Sequence, residues 1–352
     1  MNHSARARGY EKMARLSTAN LGLADVYHES AEILATALPH DAGCWHTMDP
    51  ATLIETSLQL EGMSPRTADV AEFAYVSSDY NSFAELARGP QHSGVLSDAT
   101  EGRPDRSLRY RELMRPSNLN GELRAAFVVD GASWGCFAFF REGSADFTEE
   151  ERDFTHELAP LLGRSFRRAG VRARTTGSGP TLWPGVVMLG GNRRVESLTA
   201  PARRWLEDLG FRGEPGLDPL PFPLLVVAER VRDLDDEADV RVLGESGRWI
   251  QVHASPASGD GEPGRVAIIL QAAASASIAP LISAAYGFTP REREVADLVL
   301  QGRGTSEIAA RLFISPYTVQ GHLKSIFRKA GIRSRRELVG RVFIPHNRSP
   351  RL

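Results

Sequence analysis

The chain has 352 residues, and at roughly 100–200 residues per domain it has room for two or three. Hydrophobic residues make up 42% and charged residues 24%, an ordinary globular composition, and no window of about 18 consecutive apolar residues offers a membrane span. Net charge is −2, but from Pro280 onward there are thirteen Lys/Arg against five Asp/Glu, so an acidic body carries a basic C-terminal module, a distribution that points to nucleic acid.

Residues 1–19 read as a polar tail. Arg6, Arg8, Lys12 and Arg15 are followed by no apolar h-region, so no signal peptide is expected. An amphipathic run covers about Met13 to Leu38. Strand patterns follow at Gly43–Met48 and Leu53–Leu60. Glu122–Val129 and Trp134–Arg141 read as strands joined by Asp130-Gly131, a hairpin signal. Thr148-Glu149-Glu150-Glu151 has the capping-box form, and Phe154, Leu158, Leu161 and Leu162 give the helix behind it an apolar stripe. Helix, strands, helices, hairpin, helix is the order of an α+β domain with an antiparallel sheet. Cys44 and Cys136 make no disulfide framework, which fits a reducing cytoplasm.

A Gly/Thr/Ser-rich stretch, Arg172–Trp183, ends this part. "PGVVMLGGNRRVESLTAPARRWLEDLG" then reads as strand, turn, strand and a helix from Ala200. A helix is expected at Pro223–Asp233, and strands at Val240–Leu243, Trp249–Ala254 and Val266–Gln271. Small residues at Ala272–Ala279, "AAASASIA", suggest a second linker.

The C-terminal part is the most informative. Thr289-Pro290-Arg291-Glu292 combines an N-cap, proline at the first helical position and a capping-box glutamate. Gly304 and Glu307 open a second, short helix. Ser315 caps a third, 316–330, with Pro316 first and Gly331 as its stop. Val319, Leu323, Ile326, Phe327 and Ala330 form its inner stripe. Ser334-Arg335-Arg336-Glu337 has the capping-box form again, and Leu338, Val339 and Val342 continue an apolar face. Two helices joined by a turn as short as Phe313-Ile314-Ser315 form a helix-turn-helix. The outer face of the third helix carries Tyr317, Gly321, Lys324, Ser325 and Arg328, flanked by Thr318 and Gln320. Gly321 costs about 1 kcal/mol relative to alanine inside a helix. Either close approach to a base pair explains it or it is a tolerated surface residue.

These motifs carry resemblances. "FTPREREV", "SEIAARLFIS" and "TVQGHLKSIFRKAGIRSRREL" resemble the LuxR-type DNA-binding domain nearly end to end. The resemblance implies base reading by Gln320, Gly321 and Lys324, backbone contacts from Thr318, Tyr317 and Arg328, and a homodimer on duplex DNA. The chain departs from many members, which carry Lys at the position of Gln320 and a larger residue at that of Gly321. "CWHTMDPATL", "ATEGRPDRSLRYRELMRP", "ELRAAFVVDGASWGCFAFFR" and "FTEEE" resemble a GAF domain. "GVVMLGGNRRVESLT" is similar to the opening of a PAS domain. The implied organisation is a tail at 1–19, a GAF-like domain at 20–172, a linker at 173–183, a PAS-like domain at 184–272, a linker at 273–283, the helix-turn-helix domain at 284–344 and a tail at 345–352.

Other chemistry finds less support. Cys44, His46 and Met48 alternate on one strand face with His40 nearby, but zinc-type ligand spacing is absent and a packed core face explains them. No G-x-x-x-x-G-K-[ST] loop occurs. The expectation is a multidomain α+β, cytoplasmic DNA-binding regulator with no cofactor, no metal, no membrane and no catalytic residue. Its N-terminal domains would sense a small ligand or a protein partner, and RNA polymerase is a further candidate partner. The alternatives are a partner-regulated protein with degenerate sensory domains, and an enzyme with a DNA-tethering tail.

Overall fold

The computed structural model describes residues 3–62, 79–172, 182–216, 218–257 and 264–343. The first domain contains α1 (His3–Leu16), α2 (Leu23–Ala37), β1 (Ala42–Asp49), the short β2 (Ile54–Glu55) and β3 (Gln59–Glu61), α3 (Phe83–Arg88), β4 (Ser93–Val95), β5 (Leu119–Val129), β6 (Ala132–Glu142) and α4 (Glu149–Arg172). Its sheet runs β2-β1-β6-β5-β4, with β3 also on β1. The pairs are antiparallel. Asp130 and Gly131 join β5 to β6 with φ of 52° and 74°. Two left-handed residues match the twist of the flanking strands, which is why this dipeptide marks a hairpin. Thr148 and Glu151 cap α4 reciprocally: Glu151 N–H donates to Thr148 Oγ1 at 3.3 Å, and Thr148 N–H to Glu151 Oε2 at 2.9 Å.

Both faces of this sheet are covered. Trp45, Phe127, Phe137 and Phe139 meet Leu34 of α2 and Phe154 of α4 on one face. Cys44, Met48, Cys136 and Phe140 meet Phe83 and Met114 on the other. The expected tail at 1–19 is instead largely α1. Met13 and Leu16 join the helical-side core, and Gly9 is so close to α2 that a Cβ there would stand 2.8 Å from Ala37 Cβ. The buried stripe is short and partly glycine, so hydropathy barely marks it. The single strand expected at Leu53–Leu60 is broken into β2 and β3.

The second domain contains β7 (Gly185–Leu189), β8 (Val195–Leu198), α5 (Ala200–Asp208), α6 (Phe222–Leu234), β9 (Ala238–Leu243), β10 (Trp249–Pro256) and β11 (Val266–Ala272). Its sheet order is β8-β7-β11-β10-β9. Trp205, Leu224, Val227, Val240, Ile250 and Ile268 fill its core, and Ile54 of β2 is part of the same cluster. The two domains therefore share apolar contact rather than touching only through solvated surface.

The third domain is helical: α7 (Ser275–Ala285), α8 (Pro290–Leu300), α9 (Thr305–Leu312) and α10 (Pro316–Ala330), followed by a turn at Arg335–Glu337 that runs into wider helical turns at Leu338–Phe343. The expected linker at 273–283 is mostly the helix α7. Ile278, Leu281 and Ile282 are buried in the third core, and its small residues are compatible with a helix whose apolar positions find a partner. The architecture is α+β and multidomain, with two antiparallel sheets and a helical C-terminal domain.

Candidate nucleic-acid interface

The helix-turn-helix is built by its caps. In α8, Thr289 Oγ1 accepts the Glu292 N–H at 3.3 Å while Glu292 Oε2 accepts the Thr289 N–H at 2.7 Å. In α9, Glu307 Oε2 accepts the Gly304 N–H at 2.7 Å. That bond, with Arg303 beside it, holds the Glu307 carboxyl below the usual carboxylate range. Phe313 ends α9 in the left-handed region, φ 54°, and the chain reverses within two residues. Ser315 Oγ then accepts the Thr318 N–H at 3.0 Å and starts α10. Gly331, φ 66°, stops it. The C-terminal box is only half formed: Glu337 N–H donates to Ser334 Oγ at 3.1 Å, but the Glu337 carboxylate accepts from Arg333 N–H.

Val319, Leu323 and Ile326 bury the inner face of α10. Lys329 Nζ fixes its far end, donating to Glu292 Oε2 at 2.6 Å and to Gly287 O at 2.8 Å. Burial raises the Glu292 pKa, yet the bonds from Lys329, Ser325 and Thr289 together bring it below the usual range. This lysine belongs to the fold and is not available to a ligand.

The opposite face is open. Tyr317 is 85% exposed, and Thr318, Gln320, Gly321, Lys324 and Arg328 are all exposed. The helix contains no acidic residue. Among the described residues Lys324 has no polar partner, and Arg328 reaches only Ser325 Oγ, at 3.4 Å. A Cβ on Gly321 would meet nothing within 4 Å, so nothing inside the chain requires glycine there. His322 is half-buried on the flank. All six residues expected to meet DNA, and the cap Ser315, thus lie on one accessible edge or face of the module.

Two flanking groups were not among the expected readers. Arg333 and Arg335 line, with Thr305, Gln320, Lys324 and Arg328, a shallow groove over Leu323 and Phe327. Arg335 is oriented by Arg303 O at 2.9 Å and Thr305 Oγ1 at 2.8 Å. The basic run Arg333–Arg336 was the available signal. Its placement beside α10 depends on the turn after Gly331.

The strand Cys44–Met48 is core. Its histidine, His46, gives Nδ1 to Ser57 O at 2.9 Å and lies 5.4 Å, ring to ring, from Phe222 of the second domain. Burial lowers the His46 pKa to about 3 and raises that of Cys44 to about 11. His40 is on the other side of the sheet, stacked on Phe139 and bonded to Glu61 at 2.8 Å. Among the described residues, no group of three His, Cys, Asp or Glu side chains is placed to hold a metal ion. None of the described helices is long and apolar enough to cross a membrane.

A short turn between two capped helices, the second presenting an exposed, acid-free face, defines a helix-turn-helix DNA-binding module. The family model for bacterial regulatory proteins of the luxR family matches residues 287–342. Spore germination protein GerE of Bacillus subtilis is 45% identical over 51 residues, covering 14% of this chain and 69% of that protein. A putative HTH-type transcriptional regulator of Mycobacterium tuberculosis is 51% identical over 51 residues, 14% of this chain and 6% of that protein. The chain belongs to the luxR family, whose DNA-binding module it carries at residues 287–342. The aligned segment spans only 6% of the length of the large mycobacterial relatives, so it relates the DNA-binding module alone.

Among solved structures, a GAF domain from a Coxiella burnetii phosphoenolpyruvate-protein phosphotransferase is similar over 49% of this chain and 98% of that one, with 20% identity and a TM-score of 0.35. SdiA in complex with octanoyl-rac-glycerol is similar over 99% of this chain and 100% of that one, with 13% identity and a TM-score of 0.36. At such scores neither likeness bears on function.

Proposed function

We propose that this regulator is cytoplasmic and not an enzyme, and that it binds pseudo-palindromic duplex DNA as a homodimer, placing α10 of each copy in a major groove. Gln320 and Lys324 read base edges. Glutamine suits adenine and lysine suits guanine O6/N7. Gly321 lets the helix backbone approach a base pair. Thr318, Tyr317 and Arg328 contact the DNA backbone, with Arg333 and Arg335 beside them. The single observation that carries this reading is the exposed face of α10, which holds cations with no carboxylate partner among the described residues, lacks acidic groups and contains a glycine the fold does not need. Selection of bound sites from a random duplex pool, followed by a salt titration, tests it. Recovered sites should share a two-fold motif. Uniform, salt-labile binding without a motif would refute sequence-specific regulation.

The first two domains sense a signal in this proposal, and RNA polymerase is the downstream partner. Either a protein partner or a small ligand fits this proposal, although one buried arginine of the first domain is already engaged. On the sheet face opposite the helices, the guanidinium of Arg109 donates to both Glu122 oxygens at 2.8 and 2.7 Å and lies 3.2 Å from Asp79. A ligand carboxylate would find that fork occupied. Native mass spectrometry of the full chain separates the two: a retained small molecule supports ligand sensing, whereas the bare mass together with a captured protein that alters DNA binding supports partner regulation.

A further inference from the structure

Arg241 stands on β9, at the edge of the second sheet, and Asp49 is the last residue of β1 in the first. They are 192 positions apart. Arg241 Nε donates to Asp49 Oδ2 at 2.8 Å, Nη2 to Oδ1 at 2.8 Å and the backbone N–H to Oδ2 at 3.0 Å. The Asp49 carboxylate is fully buried and the Arg241 side chain is 8% exposed. The remaining arm of the guanidinium, Nη1, donates to Ser277 O at 2.6 Å. Ser277 belongs to the first turn of α7. One side chain therefore ties together the first domain, the second domain and the helix that leads into the DNA-binding module.

α7 is itself built into two bodies. Ile278, Leu281 and Ile282 belong to the core of the DNA-binding domain. Ala284 and Ala285 pack in the helical-side core of the first domain. A shift of α7 would have to carry the module with it, because their apolar packing is continuous.

We propose that the Asp49–Arg241–Ser277 junction couples the two N-terminal domains to the DNA-binding module, with Arg241 as the residue that positions α7 against both. A buried, fully bonded charge pair tolerates little stretching, since a lone charge left behind in a poorly polarisable interior is strongly disfavoured. The junction is therefore closed or broken rather than continuously adjustable, which is the behaviour a switch requires. The β1 end of the junction lies three residues from His46, whose ring contacts Phe222. A change in either domain that displaces the end of β1 displaces Asp49, and Arg241 passes it to α7. Coupling of this kind is reciprocal, so DNA bound to α10 acts back on β1 and β9. This inference rests on the assignment of α10 as the DNA-binding helix.

Hydrogen exchange on the full chain, with and without a duplex recovered from a random pool, tests it. In the parent protein DNA should protect 316–330 and should also change exchange in 42–49 and 238–243 by at least threefold. Arg241→Met should speed exchange in 275–285 at least tenfold, keep the protection of 316–330 by DNA and abolish the response of 42–49. Arg241→Lys keeps the charge but cannot bond the carboxylate fork and the carbonyl together. It should lose the same response even if the methionine variant folds poorly. Body segments indifferent to DNA in the parent, or a full response in the lysine variant, would overturn the coupling. Missing protection of 316–330 in the parent would overturn the DNA-binding assignment, and the coupling with it.

Discussion

Lys324 lies one turn beyond Gln320 on α10, and Arg328 one turn beyond Lys324, so the three need not act alike. A base contact contributes roughly 1–3 kcal/mol of discrimination, whereas a phosphate contact strengthens every sequence equally. Lys324→Ala should flatten preference at one position of each half-site. Arg328→Ala should keep the preferred sequence and lower the salt slope of log K by about one unit. Titrations on the selected site and its single-base variants read both; loss of preference from Arg328→Ala alone would mean that the helix docks differently. At Gly321 stability and binding should part company. Gly321→Ala adds a methyl to open space, so the module should gain up to about 1 kcal/mol, and Gly321→Leu should weaken DNA binding by steric obstruction. His46 makes a pH prediction. Its folded pKa, about 3, lies below its unfolded value near 6.5. Between those limits the unfolded chain binds more protons, so stability falls as pH drops through that window, by at most about 1.4 kcal/mol per pH unit. His46→Gln keeps a donor for Ser57 O and should show a shallower acid loss in urea titrations from pH 7 to 4.

At the scale of elements, the module depends on its caps and on one buried leucine. Thr289→Ala and Ser315→Ala each remove a side-chain acceptor from a helix start and should cost about 1 kcal/mol, measurable by thermal unfolding. Leu338, on the expected apolar face of the last helix, is fully buried in the core of its own module. Leu338→Ala should therefore destabilise by about 2–5 kcal/mol at every protein concentration. A loss that appears only on dilution would instead place Leu338 between two copies. The side chain of Val342, part of the same expected face, lies outside the described residues. Val339 is half-buried.

For the whole molecule, the three domains form a continuous body. The first two share Ile54 in an apolar core, and the third is joined to both through α7 and Arg241. Presentation of two such modules to DNA is a matter of orientation as well as affinity. If the protein binds as a homodimer, protection of the duplex should cover two half-sites about one helical turn apart, and sedimentation of the complex should give two chains per duplex. One chain protecting a single half-site would sink the dimer.

The local chemistry of the sequence was enough to place α8, α9 and α10, because caps, stops and apolar spacing all act within a few residues. The exposed face carrying Gln320, Gly321, Lys324 and Arg328 follows from helical periodicity once Val319 and Leu323 are turned inward, and the Asp130-Gly131 hairpin is equally local. The remaining features needed the fold. α1 has too sparse a stripe to be seen without α2 and α4 against it. α7 looks like a linker because small residues show little contrast until a core closes over Ile278 and Ile282. The role of Lys329 is not local either, because its partner, Glu292, lies 37 residues away. Asp49 and Arg241 carry no sequence signal, since two charges 192 residues apart become a buried pair only when two sheets and a helix bring them together.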